Sequence, residues 1–217
     1  MITTPDEIWR AVSAERTTLV ELLEKLPETE WDHASLCAGW RVRDVVAHVV
    51  LSSRPTVLSL LANLIRARGS IPRLNLDSAI RYADATSSRQ LLTDLRAVVP
   101  MRRTPPGTTP DDRLMDVLVH IQDIALPLGL EYEMSTASAR LALERVWRTR
   151  WLFRAQERFS GFRLTATDTT WTAGTGPAVE GTVADLLLLV AGRDARLSAL
   201  TGEGAGMLPE RSLRTLG

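Results

Sequence analysis

The chain has 217 residues, 45% of them hydrophobic and 24% charged, which supplies core for one large globular domain or two small ones. Its 26 Lys plus Arg balance 26 Asp plus Glu, so no global field draws it to nucleic acid or to an anionic membrane, and neither is expected as a partner. The single cysteine, Cys37, excludes an internal disulfide. Together with an N-terminus that has no basic-then-apolar leader, and apolar runs too short for a bilayer, it leads us to expect a cytoplasmic protein.

Ile8, Trp9, Val12, Leu19, Leu22, Leu23 and Leu26 recur at helical spacing over 6–26, and Pro27 closes that helix. Residues 31–40 hold two tryptophans, which predicts a loop packed down onto the fold. A second helix is expected from Arg41 through Val50, kinked at Pro55 and continuing over 57–65 to Gly69. Residues 70–86 read as a loop, and 87–99 as a third helix with Leu91, Leu92, Leu95 and Val98 on one face. After the breakers of 100–109, Thr109-Pro110-Asp111-Asp112 is a helix start, with a capping hydroxyl, a proline at the first position and acids at the positive end of the dipole. That fourth helix stops at Pro127 and Gly129. Four such helices joined by breakers argue for a four-helix bundle.

Beyond residue 130 the periodicity changes. A helix is expected over 136–158, strands at 162–167, at 170–172 and around Val179, and a last helix, Val183–Ala191, capped by Thr182 and closed by Gly192. The expected fold is α+β and mainly α, with a helical bundle over 1–130 and a small α/β domain over 131–217.

Three polar side chains interrupt apolar helices. Asp116 and His120 stand one turn apart in a run of Leu, Met, Val and Ile, with Asp123 three residues further on. Such groups cost several kcal/mol in an apolar setting unless something compensates them. A metal ion would compensate both, and so would a hydrogen-bonded Asp–His pair. His48 is the third, in Val45-Val-Ala-His-Val-Val-Leu51 on the second helix. One histidine on one bundle helix plus Asp-x3-His on another gives three ligands and an open fourth position, the pattern of a catalytic zinc site. Asp44 and Asp123, one turn from the two imidazoles, are either groups that orient them or ordinary surface acids. His33 is expected to be exposed.

Ser35-Leu-Cys-Ala-Gly-Trp-Arg-Val-Arg-Asp-Val-Val-Ala-His48 resembles the N-terminal signature of the mycothiol-dependent maleylpyruvate isomerase family, a branch of the DinB-like superfamily of four-helix-bundle metalloproteins. His120-Ile-Gln-Asp-Ile-Ala-Leu-Pro-Leu-Gly129 is similar to its second block, and Phe162 to Arg193 to its C-terminal domain. The resemblance implies a divalent metal, zinc by preference, on His48, Asp116 and His120. An Asp stands where the family has Glu, so an ion would sit closer to that helix. The resemblance further implies the actinobacterial thiol mycothiol as cofactor, and a metal-bound thiolate that attacks a small electrophilic substrate, by isomerisation or S-transfer. Arg193, after the last helix, is the candidate catalytic residue, as a cation for an anionic group of cofactor or substrate; the same place suits a charge that complements the helix dipole. Cys37 reads as a small structural residue. The alternative function is a DinB-like protein that binds metal or a small ligand without turnover.

Overall fold

The computed structural model describes residues 2, 4–55, 70–149 and 153–208. Thr4 begins α1 (Pro5–Glu24): its hydroxyl accepts from Glu7 N at 3.3 Å while the Glu7 carboxylate accepts from Thr4 N at 2.9 Å. This reciprocal cap satisfies two of the helix's otherwise unpaired donors. The helix buries Ile8, Val12, Leu19 and Leu23. A 3-10 turn, Glu28–Asp32, then sets Trp31 into the core.

Helix α2 (Val42–Ser53) opens on Asp44, whose carboxylate accepts from Arg41 N at 2.8 Å. Its expected continuation over 57–65 lies outside the described residues. Residues 70–86 are not the loop that the sequence suggests: α3 spans Ile71–Asp84, with Ser70 accepting from Arg73 N. Pro72 stands in the first turn, where a missing N–H costs nothing. The buried positions farther along are Leu74, Ala79 and Ala83, and alanines leave only a faint hydrophobic stripe. Helix α4 (Ser88–Val98) buries Leu91, Leu95 and Val98 completely.

Helix α5 (Pro110–Leu128) starts where Asp112 Oδ2 accepts from Thr109 N at 2.7 Å, and it ends on Gly129, whose φ of 63° is left-handed. Pro127 falls inside the last turn. Helices α1, α2, α4 and α5 form the bundle: α1 packs on α5 and α4, α2 packs on both as well, and α3 covers α2. Its core holds Val12, Leu19, Val45, Val46, Leu91, Leu95, Leu114, Leu118 and Ile121.

The described residues form two compact units, one running to Tyr132 and the other from Glu133 onward, with Ile2 grouped with the second. In the C-terminal unit α6 (Thr136–Arg148) stops ten residues short of the expected end, and a four-residue helix α7 (Ala155–Arg158) begins after Arg154, which takes a left-handed φ of 49°. One continuous helix cannot contain that backbone; residues 150–152 of the expected helix lie outside the described residues. Strands β1 (Arg163–Ala166), β2 (Thr172–Gly174) and β3 (Ala178–Gly181) form one sheet in the order β2-β1-β3, antiparallel between β1 and β2 and parallel between β1 and β3. Helix α8 (Val183–Val190), capped by Thr182, packs on α6, β1 and β3. The chain is thus mainly helical, a bundle followed by a small α/β part. No described helix is long and apolar enough to cross a membrane.

Candidate metal centre

Helix α2 presents His48, and helix α5 presents Asp116 and His120 one turn apart. His48 Nε2 lies 3.3 Å and His120 Nε2 3.5 Å from the same oxygen, Asp116 Oδ1. The three donor atoms all lie within 4.8 Å of one another. Donors at about 2.1 Å from a tetrahedral ion stand about 3.4 Å apart, so the set fits a first-row divalent metal. The side chains are 12%, 17% and 11% exposed, nearly enclosed yet still reachable.

Each ligand candidate has a further partner. The second Asp116 oxygen, Oδ2, accepts from Arg113 Nη1 at 3.4 Å, which leaves Oδ1 to face the imidazoles. His120 Nδ1 is 2.9 Å from Oδ2 of Asp123, a carboxylate with no solvent exposure. The Trp40 indole lies against both rings, with centroids 5.2 Å from His48 and 5.9 Å from His120. Its buried Nε1 has no hydrogen-bond partner among the described residues.

His120 therefore meets a carboxylate at each ring nitrogen. A neutral imidazole carries one N–H and one lone pair. With Nδ1–H given to Asp123, the Nε2 lone pair would point at Asp116 Oδ1, which is repulsive unless a proton or a metal ion stands at that nitrogen. The metal-free electrostatics show the same demand. Burial opposes a charge on His120, but Asp116, Asp123 and Cys37 outweigh it and hold its pKa well above 6.5. Burial likewise opposes the Asp116 charge, yet Arg113 and the two imidazoles hold its carboxyl well below the usual carboxylate range. Burial pushes His48 down, and Asp116 offsets this only in part. The donor set suits a divalent cation, which satisfies Nε2 of both rings at once.

The two acids considered as orienting groups part company here. Asp123 holds His120. Asp44 does not hold His48; it is taken up by Arg41, accepting from its backbone N, Nε and Nη2. Arg113 and Trp40 are not singled out as site residues by the sequence, although Arg113 stands three residues before Asp116 and Trp40 lies in the loop expected to pack down. Cys37 is half-buried and lies on this site, with Sγ 3.0 Å from Asp123 Oδ2. His33 is exposed. Arg193 follows α8 in the C-terminal unit, where its Nη1 donates to Ala191 O at 2.7 Å.

Residues 12–112 match the profile of the mycothiol maleylpyruvate isomerase N-terminal domain. The N-terminal unit belongs to that family. The match includes the loop of Trp40 and His48 on α2, and it ends in the first turn of α5, before Asp116 and His120. No curated protein matches the chain. Two crystal structures of mycothiol-dependent maleylpyruvate isomerase, one of them a histidine-to-alanine mutant, share its fold with a TM-score of 0.61. Each covers 94% of this chain and is covered over 94% of its own length, at 16% identity for one and 15% for the mutant. The mycothiol maleylpyruvate isomerase N-terminal fold is therefore the frame on which α2 and α5 bring the three donors together.

Proposed function

We propose that this protein is a metal- and mycothiol-dependent cytoplasmic enzyme, an isomerase or S-transferase acting on a small electrophile, with the metal on His48, Asp116 and His120 in the N-terminal domain. The observation that carries the reading is the convergence of both Nε2 atoms on Asp116 Oδ1, with the other His120 nitrogen already committed to Asp123. The family of the N-terminal unit supports the thiol and the reaction class. When bound, a divalent metal such as zinc would supply a Lewis acid with an exchangeable position, at which the thiol of mycothiol would be more acidic and would release its proton to solvent.

The chain's own residues prepare the place. Asp123 keeps the His120 proton on Nδ1, so Nε2 offers its lone pair. Arg113 occupies Oδ2 of Asp116 and so commits the carboxylate to single-oxygen ligation. Trp40 lies against both imidazoles and packs one side of the centre. We assign Arg193, in the C-terminal domain, the binding of an anionic group of cofactor or substrate.

Substituting cobalt for the native metal and titrating with mycothiol tests this reading against a non-catalytic metal protein. One ion per chain is expected, with a visible spectrum that changes and saturates as the thiol enters the coordination sphere. Cobalt bound with a spectrum indifferent to mycothiol would leave a closed site, and the enzyme reading would fall.

A further inference from the structure

The loop before α2 is anchored to the candidate centre at one residue, Asp123, by two bonds. One follows from Pro127. Proline has no N–H, so the carbonyl four residues earlier loses its helical partner. That carbonyl is Asp123 O, and it accepts from Leu36 N at 3.0 Å. The other is from the next residue: Cys37 Sγ donates to Asp123 Oδ2 at 3.0 Å. Oδ2 is also the oxygen 2.9 Å from His120 Nδ1. The loop is itself tightly built, with Ser35 N bonded to Trp40 O at 2.9 Å, Trp40 N to Cys37 O at 3.0 Å, and Gly39 at a φ of +79° making the turn. Its two ends reach the same place, Cys37 at Asp123 and Trp40 over the rings of His48 and His120.

We propose that Cys37 is a positioning residue for the metal centre: its S–H fixes the Asp123 carboxylate so that Oδ2 stays on His120 Nδ1–H and Nε2 stays directed at the ion. This rests on the metal reading above. Asp123 is wholly buried, so an oxygen that lost this donor would regain no water in exchange, and the carboxylate would turn towards other partners. The thiol acts as donor in this arrangement and forms no bond to the metal, since it faces Nδ1, at 3.8 Å, the nitrogen opposite the one that meets Asp116.

The test compares Cys37→Val, Cys37→Ala and Cys37→Ser with the wild type, after thermal unfolding has verified that each folds. Cys37→Val and Cys37→Ala remove the donor, the first with a somewhat bulkier apolar side chain and the second with a smaller one, and Cys37→Ser restores an O–H. Two readouts are used: zinc affinity by competition with a chelator, and the His120 Nδ1–H proton by NMR in both metal-free and zinc-loaded protein. Direct outer partners of metal-bound histidines contribute about 10–100-fold in affinity. Cys37 acts one bond further out, so we expect a loss of about 3–10-fold in the Val and Ala variants, recovered in the Ser variant. The Nδ1–H resonance should be protected from exchange in the wild type and Ser variant and unprotected in the other two. Unchanged affinity and protection in Cys37→Val would overturn the proposal. So would a thiolate-to-cobalt charge-transfer band that disappears in Cys37→Ala, which would make Cys37 a ligand. A wild type that binds no zinc defeats the metal reading, while the metal-free NMR arm still decides the role of Cys37.

Discussion

Replacing Asp116 separates a metal ligand from a buried partner of histidine. Asp116→Asn nearly keeps the shape and removes the charge that Arg113, His48 and His120 all face. Without metal, the loss leaves Arg113, itself 8% exposed, without this anion. That should destabilise the fold by about 1–3 kcal/mol. At roughly 3–4 °C per kcal/mol for a unit of this size, the melting temperature falls by about 3–12 °C. The decisive figure is the response to zinc. At a zinc concentration of about 100 times Kd, wild type gains about 2.7 kcal/mol. A variant whose affinity is about 100-fold weaker gains only about 0.4 kcal/mol at the same concentration, the value of RT ln 2. Asp116→Glu restores a carboxylate on a longer arm and should keep a zinc-dependent rise, because the site retains some exposure to accommodate one methylene. Thermal unfolding of all three proteins, with and without zinc, is the assay. If Asp116→Asn shows the full zinc response while Asp116→Glu fails to fold, Asp116 is a hydrogen-bonded partner of His120 and the metal assignment is refuted.

Metal affinity should rise with pH. An ion at His120 Nε2 must displace a proton that Asp116 and Asp123 hold there, so apparent affinity falls as pH drops through the raised His120 pKa, with proton release measurable by calorimetry in buffers of different ionisation enthalpy. In the metal-free protein the sign is opposite for stability: the raised His120 pKa contributes fully below about 6.5 and is lost as pH rises through the folded value, while the lowered Asp116 pKa contributes above about 3.8 and is lost in acid. In the C-terminal unit, Gly176→Ala should be strongly destabilising, because at a φ of 126° a Cβ would stand 2.0 Å from Gly161 O. Denaturant unfolding that leaves the midpoint unchanged would show that this turn relaxes freely.

What could be read along the chain was whatever depends on near neighbours. The caps at Thr109 and Thr182, the periodic Leu and Val of α1, α4 and α8, and the alternation of β1 act within a few residues and leave a local trace. The same holds for Asp116 and His120, since a one-turn spacing puts them on one face whatever surrounds them. Features set by distant partners were not legible. Ala79 and Ala83 became core only because α2 lies against them, and the break before Arg154 has no Pro or Gly to announce it. Asp44 and Asp123 look alike in sequence, each a turn from an imidazole. Packing separated them: Arg41 claimed Asp44, while Pro127 freed the carbonyl of Asp123 for the loop that carries Cys37 and Trp40. The convergence of His48 with Asp116, 68 residues away, is likewise a property of two helices side by side. A sequence specifies which donors each helix carries, and only the bundle determines that their tips meet.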